Sequence, residues 1–178
     1  MRSLYSLLSR LSSKNLKCAP LTIKSEWGPN PSPYKPVMIL SFIRGFHAQG
    51  KFKKGIIQYE EISPIFEELL ALVTEQVDGA KLGVQPFWRL GAGQPKIWEL
   101  RPAKNSSDDL VRAMLDSENV RTEPALNRLV SYAEFSTADF EVLADELGAR
   151  TVLRFLIGEY LSGYPCSTEL SQQVLPDS

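Results

Sequence analysis

Leu4, Leu7, Leu8 and Leu11 recur at the spacing of one helix face, so the chain opens on an amphipathic helix. Its acid-free, Ser- and Arg-rich character is also that of an organellar transit peptide. The helical spacing favours a helix packed on the core. Leu21 to Pro33 is rich in Pro, Gly, Asn and Ser and predicts an irregular loop carrying Trp27. A buried helix then opens at Pro33-Tyr34-Lys35-Pro36 and carries Val37, Leu40, Ile43 and Phe46 on one face. Gly50 ends it, and Lys51, Lys53 and Lys54 form a basic turn. Ile56 to Tyr59 predicts a short strand, and Glu60 to Thr74 a helix with Ile62, Phe66, Leu69, Leu70 and Val73 on its apolar face. Two aromatic-rich runs, Phe87 to Leu90 and Ile97 to Leu100, flank Gly91-Ala92-Gly93 and predict a β-hairpin. Arg101 to Ser107 is a polar loop. Helices follow over Asp108 to Asp116, Pro124 to Ala133, Ala138 to Leu147 and Ala149 to Leu161, with Gly148 as a breaker. Ser162 to Ser178 predicts a mobile tail. The class expected is mainly α, a compact helical bundle with one small β-hairpin, an arrangement that admits winged-helix-like features. Residues 1–165 make a single domain and residues 166–178 a C-terminal tail.

Composition agrees with one globular unit. The chain has 178 residues, 43% of them hydrophobic and 23% charged, enough to bury a core without disulfides or metals. Two cysteines and one histidine are too few for a structural zinc site, which takes four such ligands. No apolar run is long enough to span a membrane. Catalytic machinery is not evident. The lone His47 sits beside the apolar face of its helix and reads as a core-edge histidine. The pairs Glu60–Glu61, Glu67–Glu68 and Asp108–Asp109 fall in first turns or on exposed faces, where solvation and the helix dipole explain them. No cofactor is expected, and a binding module is favoured over an enzyme.

The net charge of −1 hides its distribution. Residues 1–54 carry ten Lys or Arg against one acid, and residues 55–80 carry six acids and no base. Residues 81–104 hold five bases against one acid, and residues 105–178 hold five against thirteen. If the two basic blocks meet on one face, they form a phosphate-binding surface; otherwise they merely solvate the surface. Lys35 at a helix start favours an anion. Arg101, Lys104 and Asn105 are residue types that reach phosphates and base edges. Phe87 and Trp88 are rigid aromatics of which at least one must be core.

Several segments together carry a resemblance. They are Ser32-Pro33-Tyr34-Lys35-Pro36 before an apolar helix, Tyr59-x-x-Ile62 leading to Phe66-x-x-Leu69-Leu70, and Gln85-Pro86-Phe87-Trp88-Arg89-Leu90. Ile97-Trp98-Glu99-Leu100 and the closing Leu153-x-x-x-Ile157-x-x-Tyr160-Leu161 complete the set. From about Leu7 to Pro165 the chain resembles the sulfur-binding domain of phosphorothioate-dependent, type IV restriction endonucleases. The proline–phenylalanine–tryptophan stretch is its most specific part. The resemblance implies a bacterial, cytoplasmic recognition module for double-stranded DNA in which sulfur replaces a non-bridging phosphate oxygen. Cleavage in that family belongs to a separate HNH nuclease domain, which lies outside this chain.

The chemistry implied is concrete. Sulfur is larger, more polarizable and a poorer hydrogen-bond acceptor than oxygen, so a shallow apolar cavity receives it cheaply. A phosphate oxygen there loses water without gaining a donor, at about 1–3 kcal/mol, or roughly ten- to a hundredfold in affinity. The resemblance puts Tyr34, Lys35, Gln85, Pro86 and Arg89 at this cavity, with the Pro86 ring as its wall and the Arg89 stem beside it. The family commonly has a histidine where this chain has Tyr34 and a tyrosine where it has Gln85. Lys35, Lys51, Lys53, Lys54, Lys81, Arg101, Lys104 and Asn105 are the expected contacts to phosphates and bases, with the acidic blocks facing away. Two other readings stay open: a generic winged-helix-type DNA-binding domain indifferent to sulfur, and a protein–protein interaction module.

Overall fold

The computed structural model describes residues 2–12, 16, 32–74, 82–116 and 120–177. Trp27, Cys18 and Lys81 lie outside these residues. The protein is mainly α, with a small three-stranded antiparallel sheet. Helix α1 (Arg2–Leu11) buries Leu7 and Leu11, with Leu4 and Leu8 packed at the core edge, as its leucine spacing predicts. Helix α2 (Tyr34–Gln49) is buried almost throughout and ends at Gly50, whose left-handed φ of 64° suits a residue without a Cβ. A short 3-10 turn, Lys53–Gly55, leads into β1 (Ile56–Ile57). Helix α3 (Tyr59–Val73) then packs along α2.

The predicted hairpin is absent. Val84–Ala92 is a helix, α4, and only the second aromatic run reaches a strand, β2 (Glu99–Pro102). Pro86 sits in the first turn of α4, where its missing N–H costs no hydrogen bond. Both Phe87 and Trp88 are buried, at 1% and 0% exposure, which adjacent residues on a strand with one open face could not both achieve. Gly91 lets the Leu100 side chain lie directly on the helix backbone. Trp98 Nε1 donates to the Phe87 carbonyl at 3.0 Å, tying the start of β2 to α4.

Beyond β2 come α5 (Ser107–Leu115) and α6 (Glu123–Leu129). The chain then turns into the strand β3 (Val130–Glu134), not a continued helix to Ala133. β3 is the central strand, with β1 and β2 antiparallel on either side. It therefore supplies the partner that β2 lacks within its own neighbourhood. Helix α7 (Thr137–Ala144) is capped by Ser136, which accepts from the Asp139 N–H at 3.2 Å. Gly148 does not break the next helix. α8 (Glu146–Leu156) starts ahead of it, because the Asp145 carboxylate accepts from the Gly148 N–H at 2.9 Å. α8 continues into a π-turn, Ile157–Leu161. The expected tail is also a folded element. α9 (Ser167–Val174) buries Leu170 and Val174 completely and packs on α2 and α3.

An aromatic chain runs through the core. Tyr59 meets Phe87 at 5.4 Å, Phe87 meets Trp98 at 5.1 Å, Trp98 meets Phe135 at 5.6 Å and Phe135 meets Phe42 at 4.7 Å. It joins α3, α4, the sheet and α2 through edge-on and tilted contacts of the favourable kind.

Candidate nucleic-acid interface

Four of the five cavity residues expected from sequence, Tyr34, Lys35, Gln85 and Pro86, fall at two helix starts, whereas Arg89 lies in the last turn of α4. In α2, Tyr34, Lys35 and Pro36 are the first three helical residues. In α4, Val84, Gln85 and Pro86 hold the same three positions. Each helix thus has proline third, where the absent N–H is one of the unbonded set at any helix start. Neither start has a side-chain cap or an acid in its first turn. Both leave backbone N–H groups and the positive end of the helix dipole uncompensated by side chains of their own turn. Tyr34 is 1% and Lys35 4% exposed, so the lysine places a positive charge inside the protein at a helix N-terminus. Ser32 is also buried, and its Oγ has no hydrogen-bond partner among the described residues. On the other helix, Pro86 is buried while Gln85 and Arg89 are half-buried. Trp88 Nε1 is likewise buried without a partner. The two helices are in contact with each other.

The basic candidates divide between the two ends of the sheet. Lys53 and Lys54 are exposed in the turn before β1, and Lys51 is half-buried just ahead of them. Ile56 and Glu99 both lie opposite Glu134, so β1 and β2 run parallel on either side of β3. Lys104 and Asn105 follow β2 and form an exposed turn, with Asn105 at a left-handed φ of 70°. The turn before β1 and the turn after β2 therefore lie at opposite ends of these strands. Lys53, Lys54 and Lys104 are in no ion pair among the described residues. Lys81 lies outside the described residues.

Arg101 is engaged. Its Nε and Nη2 both donate to Glu134 Oε1 on the central strand. The expectation that acidic segments face away from the basic ones fails here and elsewhere, because folding interleaves them. Arg10 reaches Asp139 at 2.6 Å and Arg44 reaches Glu68 at 3.2 Å, while Lys96 meets Glu99 of its own block at 3.5 Å. Arg10 and Lys96, from the two basic blocks, share a cleft of about 140 Å³ with Trp98, Ser136 and Asp139. Sequence reading missed this meeting, since nothing local links α1 to the segment before β2. Both charges there are met by carboxylates, which leaves little field for a phosphate.

His47 is a satisfied core-edge histidine, with Nε2 2.7 Å from the Leu143 carbonyl and its ring edge-on to Phe46. Among the described residues, no three His, Cys, Asp or Glu side chains gather to hold a metal ion, and no helix is long and apolar enough to cross a membrane. A small polar pocket of about 70 Å³ lies over Tyr59 and Phe87, rimmed by Gln58, Glu60, Asn127 and Ser131. The Tyr59 phenol is held above its ordinary pKa by burial first, with Glu123 and Glu67 adding to the rise against a lowering hydrogen bond with Ser63. No family model, curated protein or solved structure matches this chain.

Proposed function

We propose that this chain binds double-stranded DNA carrying a phosphorothioate linkage and is the recognition module of a modification-dependent restriction system. Cutting belongs to a nuclease domain outside these residues, and the bacterial cytoplasm is the compartment this reading implies. The observation that carries it is the matched pair of helix starts. The two prolines in the segments singled out by the resemblance, Pro36 and Pro86, occupy equivalent positions on two helices in contact. Both starts are acid-free and uncapped, and one holds the buried Lys35. Helix N-termini with a lysine suit an anion. Proline rings, apolar and without an N–H, suit sulfur better than oxygen. Lys53–Lys54 and Lys104–Asn105 then reach phosphates from the two ends of the sheet. These contacts position the domain, and sulfur specifies the site.

The test is a titration against otherwise identical short duplexes, one plain and one bearing a single phosphorothioate of each stereochemistry in turn. The expected result is tight binding to one sulfur isomer, ten- to a hundredfold above plain DNA, with the preference lost in Pro86→Asp. A second variant, Lys35→Met, is expected to weaken both duplexes. Circular dichroism checks that each variant is folded. Equal binding to plain and sulfur-bearing duplexes would overturn the sulfur reading and leave generic DNA binding. Absence of binding across a panel of flanking sequences would favour a protein-interaction role.

A further inference from the structure

We infer that Trp98 is a positioning residue, holding α4 in the place where Pro86 and Arg89 can tell sulfur from oxygen. This role rests on the proposed reading of the Pro86 site and acts on that site from outside. α4 is nine residues long and has no side-chain cap at its start. A helix this short is held by its packing and not by its own propensity. One segment, Ile97 to Leu100, supplies the hold. The Trp98 indole N–H donates to the Phe87 carbonyl at 3.0 Å, one residue past Pro86. The Ile97 and Trp98 backbone N–H groups donate to the Leu90 carbonyl at 2.8 and 3.4 Å, one residue past Arg89. Leu100 lies on the α4 backbone at Gly91, where a Cβ would collide with its side chain.

Two features separate this from ordinary core packing. The Phe87 carbonyl lies inside α4 and already has a helical partner four residues on. The indole bond is thus a second one, which fixes the helix in place without being needed to satisfy the carbonyl. The same segment also continues through β2 into the Lys104–Asn105 turn, so Trp98 ties Pro86 to the candidate phosphate contacts. Trp98 itself is buried between Phe87 and Phe135, at 5.1 and 5.6 Å between ring centres, and has no room to follow a shifted helix. Apolar discrimination needs such a hold, because a gap of about 0.5–1 Å forfeits a quarter to a half of a dispersion contact. A flexible lysine on a phosphate follows the same displacement easily. Loss of the tether therefore removes selectivity and spares affinity for plain DNA.

The test compares the whole chain with Trp98→Phe and Gly91→Ala, each titrated against a phosphorothioate duplex and its plain counterpart. Trp98→Phe keeps an aromatic ring and loses the N–H, whereas Gly91→Ala pushes Leu100 off the helix. Both are expected to lower the sulfur-to-oxygen affinity ratio at least threefold, with plain-DNA affinity held within twofold. A merely structural role would reduce the folded fraction and weaken both duplexes alike, so the ratio would not move. Tyr160→Phe is the control, since it also removes a buried donor to a main-chain carbonyl, and its ratio is expected to match the wild type. A selective wild type with an unchanged ratio in Trp98→Phe would overturn this role and leave the sulfur reading standing. An equal fall in Tyr160→Phe would overturn it in favour of general loosening. A wild type with no sulfur preference would overturn the reading and this role together.

Discussion

Gly148 and Gly158 show how differently one residue type is used along the same stretch of chain. At Gly148 the carbonyl oxygen of Val142 occupies the space a Cβ would take, and a backbone atom cannot step aside as a flexible side chain can. Gly148→Ala should therefore cost about 1–3 kcal/mol, the range for forcing a methyl into a filled site. At Gly158 nothing lies within 4 Å of that position. Gly158→Ala should be neutral or stabilise by up to about 1 kcal/mol by narrowing the unfolded ensemble. Urea unfolding of both variants checks the contrast, and equal effects would sink it. Tyr160 and Tyr164 set a limit at high pH. The Tyr160 hydroxyl donates to the Leu11 carbonyl, fastening the π-turn to α1. Burial, with Glu159 adding, pushes its pKa to about 12, and burial alone does the same for Tyr164. In the unfolded chain both phenols ionise near 10. Between pH 10 and 12 the folded state thus holds more protons, so stability is fully present below pH 10 and falls as pH rises through this window. Each phenol contributes of order 2 kcal/mol to that loss. Tyr160→Phe should cost about 1 kcal/mol at neutral pH by removing the donor to Leu11 and should flatten the alkaline fall. Urea midpoints followed from pH 8 upward in both proteins test this.

At the scale of elements, the tail gives the clearest prediction, since the chain end is a helix packed on α2 and α3. Leu170→Ala should cost about 2–5 kcal/mol, as a fully buried leucine does, and truncation after Cys166 should cost more. A truncated chain as stable as the full one would refute this role for α9. Its signal was present in the sequence, because Leu170 and Val174 are spaced one turn apart, but two apolar residues in a polar segment look like a surface. The helices with long apolar faces were legible. α2, α3 and the leucine-lined α1 appear within a residue or two of their expected positions, because continuous 3.6-residue periodicity over several turns has one reading. The run from Pro86 to Leu90 was not. Five residues with an opening proline and a glycine after suit a strand or a helix equally, and the choice is made by Trp98 bonding the Phe87 carbonyl and by Leu100 lying against Gly91. β3 was hidden for a related reason. The helix signal from Pro124 to Leu129 runs directly into it, and the strand is fixed by partners more than 25 residues earlier in the chain, a pairing no local pattern announces. The candidate positions divide in the same way. Lys35 and Pro86 stand in short local motifs, and both lie in the first turn of a helix. Arg101 was chosen by residue type, and its partner Glu134 comes from the strand that was missed.

The molecule as a whole turns an alternation of charge along the chain into ion pairs between blocks. Arg10, Arg44 and Arg101 each bind a carboxylate from an acidic block, so a basic run in sequence does not become a basic face in space. Of the contacts expected from sequence, Lys53 and Lys54 at one end of the sheet, Lys104 at the other and the half-buried Lys51 stay outside ion pairs among the described residues. Counterion release makes log K fall with log salt at about 0.9 per phosphate neutralised, so these four lysines together with Lys35 predict a slope of about −4 to −5. Glu134→Gln should release Arg101 and steepen the slope by about one, while Lys104→Met should lower it by about one. A plain and a phosphorothioate duplex carry the same charge, so both should share one slope. Their affinity ratio should then be constant across salt, because apolar burial of sulfur involves no counterions. Parallel titrations at several salt concentrations decide the matter. Lines that converge at high salt would mean that sulfur is felt through charge and not through a cavity, and the role given to Pro86 would fall.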